Sequence, residues 1–126
     1  MTTHIDEKIY GNVMEVHLNG KLTLGENTAD NGGLRLAYMA LGNVLAGKTL
    51  PPVGGFTTEQ RFFLSFGQDW CDNSTPQVEE LNAQTDPHAI PRDRVNGVVA
   101  NMPEFQKAFS CPAGKPMVSA KACRVW

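Results

Sequence analysis

One long stretch of apolar residues at helical spacing constrains the fold of this chain more than any other feature. After Thr23, apolar side chains recur every three or four positions, as on a helix with one buried face: Ala29, Leu34, Ala37, Leu41, Val44 and Leu45. Ala46-Gly47 ends such a helix, and Pro51-Pro52 prevents it from resuming. The pattern predicts a helix over residues 23–46. The pair Gly32-Gly33 lies inside this helix, where each glycine destabilises it by about 1 kcal/mol relative to alanine. We therefore expect either a closely approaching backbone or a kink there.

A second helix is predicted downstream of the proline pair. Thr57 or Thr58 caps it, and Glu59 lies in its first turn, where the helix dipole favours a negative charge. One face of this helix is aromatic and has to pack on another element: Phe62, Phe63, Phe66 and Trp70. If the chain is isolated from a larger protein, we expect this aromatic face to be exposed and to cause self-association.

The remaining chain is predicted as short helices and loops. A third helix is expected over 76–81 and a short one from Pro103, each with proline at its first position. An irregular segment over 85–101 is predicted by the turn signals Asp86-Pro87, Ile90-Pro91 and Asn96-Gly97. The tail over 111–126 is predicted as a loop. Residues 1–22 fit a short strand or a loop as well as a helix. The fold class is mainly α, in one segment over the whole chain.

Composition excludes several classes of protein. The 126 residues are 41% apolar and 19% charged, which is typical of a folded domain and not of a disordered chain. Apolar runs are too short to cross a bilayer, and no signal peptide is visible. The formal net charge of −2, without a basic cluster, argues against nucleic acid as a partner.

The cysteines do not form a closed disulfide set. Cys71, Cys111 and Cys123 are odd in number and lack Cys-x-x-Cys spacing. They are either buried thiols or partners of cysteines outside this chain. A metal site built from them with His88 is the less favoured alternative, because the spacing is irregular.

Two carboxylates four residues apart are the first candidates for chemistry. Glu26 and Asp30 share one face near the start of the first helix, where like charges repel unless a cation or a positive group lies between them. One carboxylate can ligate a metal while the other hydrogen-bonds a ligating imidazole. The residues alone favour a simpler interpretation, in which Thr23 and Glu26 form a capping box and Asp30 is solvated.

His88 and Arg94 in the proline-rich segment are the second candidates. Together they could stabilise a developing oxyanion, but the residues alone favour a surface histidine and a structural arginine. His4 and His17 have no ligand spacing. The chain contains no H-E-x-x-H, G-x-S-x-G, phosphate loop or G-x-G-x-x-G motif, so it has no histidine pair for a hydrolytic zinc site.

Several motifs follow one another in a defined order along residues 18–126. They are ENTAD at 26–30, QRFFLSF at 60–66, QDWC at 68–71, TDPH at 85–88, RVNG at 94–97 and CRVW at 123–126. This collinear series resembles the C-terminal part of the catalytic domain in the neprilysin and endothelin-converting enzyme family of zinc metallopeptidases. A series is far more specific than any single motif.

The resemblance implies a role for each candidate residue. Glu26 would be the third zinc ligand, and Asp30 would orient a zinc-bound histidine. His88 would stabilise the tetrahedral intermediate, and Arg94 would hold a substrate carbonyl. Trp70 would line the pocket for the side chain that follows the scissile bond. The implied fold is the helical C-terminal portion of a thermolysin-like, or gluzincin, catalytic domain.

The resemblance also implies the reaction and its setting. The reaction would be peptide-bond hydrolysis with a zinc cofactor that is bound fully only in a longer parent chain, and this chain alone would be inactive. The glycine pair of the first helix would lie beside the zinc-binding helix. The parent would be secreted, periplasmic or membrane-anchored, with the three cysteines bridged to upstream cysteines.

Two features depart from the family pattern, and two other functions remain open. Asp69 replaces an apolar residue beside the pocket tryptophan, and Asp93 could pair with Arg92 or weaken the grip of Arg94 on substrate. One alternative function is a truncated, non-catalytic paralogue that binds a peptide or a partner. The other is a small helical metal-binding protein that uses Glu26, Asp30 and His88.

Overall fold

The computed structural model describes residues 17–125, and this part of the chain is helical, as predicted. Its only β feature is an isolated bridge between Val53 and Phe56. Among the described residues, no helix combines the length and the apolarity that a membrane span requires. Five helices follow in chain order: α1 Leu24–Leu45, α2 Thr58–Asp69, α3 Pro76–Thr85, α4 Pro91–Val99 and α5 Pro103–Ala108.

The predicted boundaries of α1 and the predicted N-cap of α2 are confirmed. α1 runs for 22 residues and has Ala46 as its C-cap, whose φ of 47° is left-handed and whose N–H donates to the Gly42 carbonyl. α2 begins at the N-cap Thr57, which exchanges both hydrogen bonds of a capping box with Gln60.

The prediction of an irregular segment over 85–101 is wrong, because α4 lies within it. Ile90-Pro91 was interpreted as a turn, but Pro91 occupies the first position of α4, where a missing N–H costs nothing. Asn96-Gly97 lies inside this helix, and burial of the following Val98 and Val99 stabilises it. α3 also continues to Thr85, beyond the predicted end at 81.

The core lies where α1, α2, α4 and α5 meet. Phe63 of α2 is only 3% exposed, stacks on Tyr38 of α1 with ring centroids 5.4 Å apart, and meets Phe105 of α5 edge-on at 5.3 Å. Leu34, Val98, Val99 and Met102 complete the buried cluster. The prediction that the aromatic face of α2 packs on another element is therefore confirmed.

Several apolar side chains of α1 are exposed, whereas the rings on the aromatic face of α2 are packed. Phe62 and Phe66 of α2 pack against the core, so the expectation that the aromatic face is exposed is wrong. On α1, by contrast, Leu36 and Met39 are each 51% exposed, on the side away from the core. A Cβ added at Gly33 would meet nothing within 4 Å, so no backbone within the described residues approaches it closely. A helix that is apolar on two faces is typical of one that is covered on both.

Candidate functional site

An ion pair between α1 and α4 forms the centre of the candidate site. Arg94 Nε donates to Asp30 Oδ2 at 2.6 Å, and Arg94 Nη2 donates to Asp30 Oδ1 at 2.7 Å. This is the two-pronged geometry that a guanidinium offers to a carboxylate. Both side chains are only 11% exposed, so water screens the pair weakly. The pair fixes the first turns of α1 against the start of α4.

Arg94 also contacts the two other candidate residues of this region. Its Nη2 lies 3.4 Å from Glu26 Oε2, and its Cζ lies 3.9 Å from the ring centroid of Trp70, in cation–π geometry. The hydrogen bonds to Asp30 raise the pKa of Arg94 above its ordinary value, and desolvation opposes them. The sequence-predicted residues Glu26, Asp30, Trp70 and Arg94 thus lie together.

His88 reaches the same carboxylate from the segment between α3 and α4. Its Nε2 lies 3.4 Å from Glu26 Oε2. Its Nδ1 lies 2.7 Å from Asp86 Oδ1, which also accepts the His88 backbone N–H at 2.8 Å. These bonds, the backbone one foremost, hold the pKa of Asp86 below its ordinary value. Asp86 therefore orients the imidazole so that Nε2 points towards Glu26.

Asp86 is a site residue that the sequence prediction missed. The sequence places it in the turn signal Asp86-Pro87 and in the TDPH motif, but neither pattern assigns it a role in the site. A carboxylate two residues before a candidate histidine can bond the backbone N–H and the ring together, and that spacing was the available signal.

The capping-box interpretation of Glu26 is wrong. Thr23 is the N-cap of α1, but its side chain does not cap the helix. Thr23 is fully buried, and its hydroxyl accepts from Asn27 Nδ2 at 2.9 Å instead. The Glu26 carboxylate is therefore not used for helix capping and faces His88 and Arg94.

The donor groups fit one zinc ligand supplied by this chain. The Glu26 side chain is 42% exposed, and its contacts with His88 and Arg94 are long, so a carboxylate oxygen is available to a metal. Each Asp30 oxygen accepts one bond from Arg94 and keeps a second lone pair for an imidazole N–H. Within residues 17–125, no three His, Cys, Asp or Glu side chains are grouped to hold a metal.

A cavity of about 190 Å³ adjoins these groups. His88 and Arg94 line it together with Asp72, Glu79 and Asn82. The cavity therefore opens next to the two residues predicted to contact substrate.

The remaining candidates lie around this centre. Asp93 has Arg92 as its ion-pair partner at 3.8 Å, whereas Arg94 is held by Asp30, so the predicted pairing with Arg92 is the one observed. Burial raises the pKa of Asp93, with Arg92 opposing the shift.

Asp69 is exposed at the end of α2. The three cysteines are free thiols: Cys71, Cys111 and Cys123.

The fold matches that of parts of solved zinc metalloproteases. The chain superposes on the zinc metalloprotease Zmp1 of Mycobacterium tuberculosis in its open state with a TM-score of 0.82 at 32% identity, covering 94% of this chain and 18% of that one. The inhibitor complex of the same protease gives a TM-score of 0.84 at 29% identity, covering 99% and 20%. The chain thus has the fold of a helical part of these proteases.

Sequence relatives specify the family. Neprilysin-1 of Caenorhabditis elegans is 44% identical over 98% of this chain and 17% of its own length. Endothelin-converting enzyme 1 of Bos taurus is 47% identical over 93% of this chain and 16% of its own length. The chain therefore spans 16–17% of these relatives. The sequence profile of peptidase family M13 matches residues 2–125, and the chain belongs to this family.

Proposed function

We propose that this chain is the C-terminal part of the catalytic domain of a zinc metalloendopeptidase, and that it supplies one zinc ligand and the residues that stabilise the transition state. The observation that carries the proposal is the convergence of His88 and Arg94 on the carboxylates of Glu26 and Asp30. Membership of a peptidase family supports hydrolysis as the reaction.

In the proposed site Glu26 ligates the zinc ion, and polypeptide outside the described residues supplies two histidines and the glutamate general base. Bound zinc would polarise the scissile carbonyl and activate water. Asp30, already anchored by Arg94, accepts an imidazole N–H from one zinc-bound histidine and fixes its orientation.

The transition state is stabilised from the α4 side of the site. Asp86 accepts a hydrogen bond from His88 Nδ1–H, which turns Nε2 towards the place where the oxyanion forms. In the protonated ring, Nε2–H donates to that oxygen. Arg94 keeps Nη1 for a substrate backbone carbonyl while Nε and Nη2 are held by Asp30. Trp70 supports the guanidinium and forms a wall of the side-chain pocket.

The setting of the parent is proposed on the same basis. We place it outside the cytoplasm, either secreted, periplasmic or membrane-anchored. Cys71, Cys111 and Cys123 would then bridge to cysteines elsewhere in the parent, since disulfides persist in oxidising compartments. The substrate is a peptide, and the 126-residue chain on its own is inactive.

Cleavage of an internally quenched peptide by the intact parent tests the function. We expect zinc-dependent cleavage that a chelator abolishes and added zinc restores. His88→Ala should lower turnover by about 10²- to 10³-fold, because it removes a donor to the oxyanion, with zinc content unchanged. Loss of zinc in this variant would contradict the assigned role. An intact parent that carries zinc but never cleaves peptides would favour the non-catalytic paralogue.

A further inference from the structure

A ladder of polar side chains lies on the inner face of α1, where apolar residues would suffice for packing. Thr23, Asn27 and Asn31 follow at intervals of four residues and are all buried. Asn27 Nδ2 donates to Thr23 Oγ1 at 2.9 Å, and Asn31 Nδ2 donates to the Asn27 carbonyl at 2.7 Å. Buried polar groups destabilise a fold unless they are hydrogen-bonded, and when satisfied they specify one geometry.

Asn101, just beyond the end of α4, joins this ladder to the chain's tail. Its Nδ2 donates to Asn31 Oδ1 at 3.1 Å and to the Gly97 carbonyl at 3.0 Å. Its Oδ1 accepts the Cys123 backbone N–H at 3.1 Å. A backbone N–H can only donate and a carbonyl can only accept, so these partners fix the orientation of both amides.

The amide pair lies next to the site on α1 and about two turns from it along the α4 segment. Asn31 directly follows Asp30, and Asn101 comes seven residues, or about two helical turns, after Arg94. The Asn31–Asn101 bond and the Asp30–Arg94 pair are therefore two cross-links between α1 and the α4 segment.

Core packing of Leu34 and Tyr38 and the ion pair between Arg35 and Glu104 hold α1 in place overall. The two cross-links to the α4 segment set its rotation at the site itself. Side-chain ends lie roughly 5–6 Å from a helix axis, so a rotation of about 15° moves a carboxylate by about 1.5 Å. The Asp30–Arg94 bonds are 2.6 and 2.7 Å long, and such a shift would break at least one of them.

We propose that Asn31 and Asn101 are positioning residues for the peptidase reaction: their amide pair sets the rotation of α1 so that Asp30 holds Arg94 in place to bind substrate. The inference rests on the proposed function for its catalytic consequence. Through Cys123, the tail also contributes to that placement.

Kinetics of the intact parent test the proposal. Asn31→Ala and Asn101→Ala should each lower kcat/KM by about 10- to 100-fold with zinc retained, since a misplacement of about 1 Å costs on that order. The control Asn43→Ala, at an exposed position of α1, should stay within about twofold of wild type.

A second genetic background separates positioning from general damage to the fold. When Arg94 is already alanine, adding Asn31→Ala should lower kcat/KM by less than about twofold, because the residue to be positioned is gone. The proposal would be overturned if Asn31→Ala lowered kcat/KM equally in the wild-type and Arg94→Ala parents. It would also be overturned if Asn31→Ala left kcat/KM unchanged in the wild-type parent.

A structural measurement needs no catalysis and applies even if the alanine variants fold poorly. The isosteric Asn101→Asp variant keeps the acceptor for Cys123 but loses the donor to Asn31. In its crystal structure we expect the Arg94 Nε to Asp30 Oδ2 distance to exceed hydrogen-bonding range. An unchanged 2.6 Å would refute the positioning role. A wild-type parent without peptidase activity would reject the proposed function, while this distance would still decide the positioning role.

Discussion

Replacing Arg94 with methionine tests the ion pair at the centre of the site. The substitution removes the guanidinium that bonds both oxygens of Asp30 but keeps an unbranched side chain over the Trp70 ring. Asp30, at 11% exposure, is left as a nearly buried carboxylate without its cation. We expect this variant to be strongly destabilised.

The magnitude follows from the burial of the pair. Removing one partner of a buried ion pair costs about 3–5 kcal/mol, and the residual exposure of Asp30 and Arg94 places the loss near 3 kcal/mol. Loss of the contact with Trp70 adds up to about 1 kcal/mol. Replacing both partners, as Asp30→Asn and Arg94→Met, leaves no buried charge and should cost only about 1 kcal/mol. The double variant is thus expected to be more stable than Arg94→Met alone.

Urea denaturation of the 126-residue chain at pH 7, followed by circular dichroism, measures these differences. Arg61→Met is the matched control, because Arg61 lies at an exposed position of α2. We expect it to change the free energy of unfolding by at most about 0.5 kcal/mol. The reasoning fails if Arg94→Met costs no more than this control, or if the double variant is less stable than the single one.

Three further predictions follow from the surroundings of the site. Asp86→Asn in the intact parent should lower kcat by about 10- to 100-fold, because His88 loses its orienting carboxylate; unchanged turnover would contradict this. Since His88 lowers the pKa of Asp86, that carboxylate supports the native state above its ordinary pKa of 3.8 and loses the effect as the pH falls through the lowered value. Asp93→Asn should raise the melting temperature at pH 7 but not below pH 3.8, because burial raises the pKa of Asp93 and disfavours its ionised form; a lower melting temperature at pH 7 would argue against this. Leu36→Lys should weaken self-association of the isolated chain in sedimentation equilibrium, and unchanged association would assign it to another surface.

The sequence predicted best what local interactions determine. The apolar spacing of α1 and the capping threonine of α2 act within a few residues, and both boundaries are confirmed. α4 was missed because its turn signals are outweighed by the burial of Val98 and Val99 against other helices, which no local pattern records.

The site was predictable only in part for the same reason. The spacing of Glu26 and Asp30 placed two carboxylates on one helical face, but the cation between them is Arg94, more than sixty positions along the chain. That contact depends on how α1 packs on α4 and could not be derived from spacing. The family resemblance supplied the candidate residues, while the roles of Asp86 and of the buried asparagines became visible only from the contacts.

The zinc content of the purified intact parent tests the central claim most directly. By elemental analysis, wild type and the control Glu80→Ala, at an exposed position of α3, should each retain about one zinc ion per chain. Glu26→Ala should retain almost none, because the metal loses a protein ligand. A Glu26→Ala protein that keeps its full zinc content would contradict the assignment of this carboxylate as a ligand.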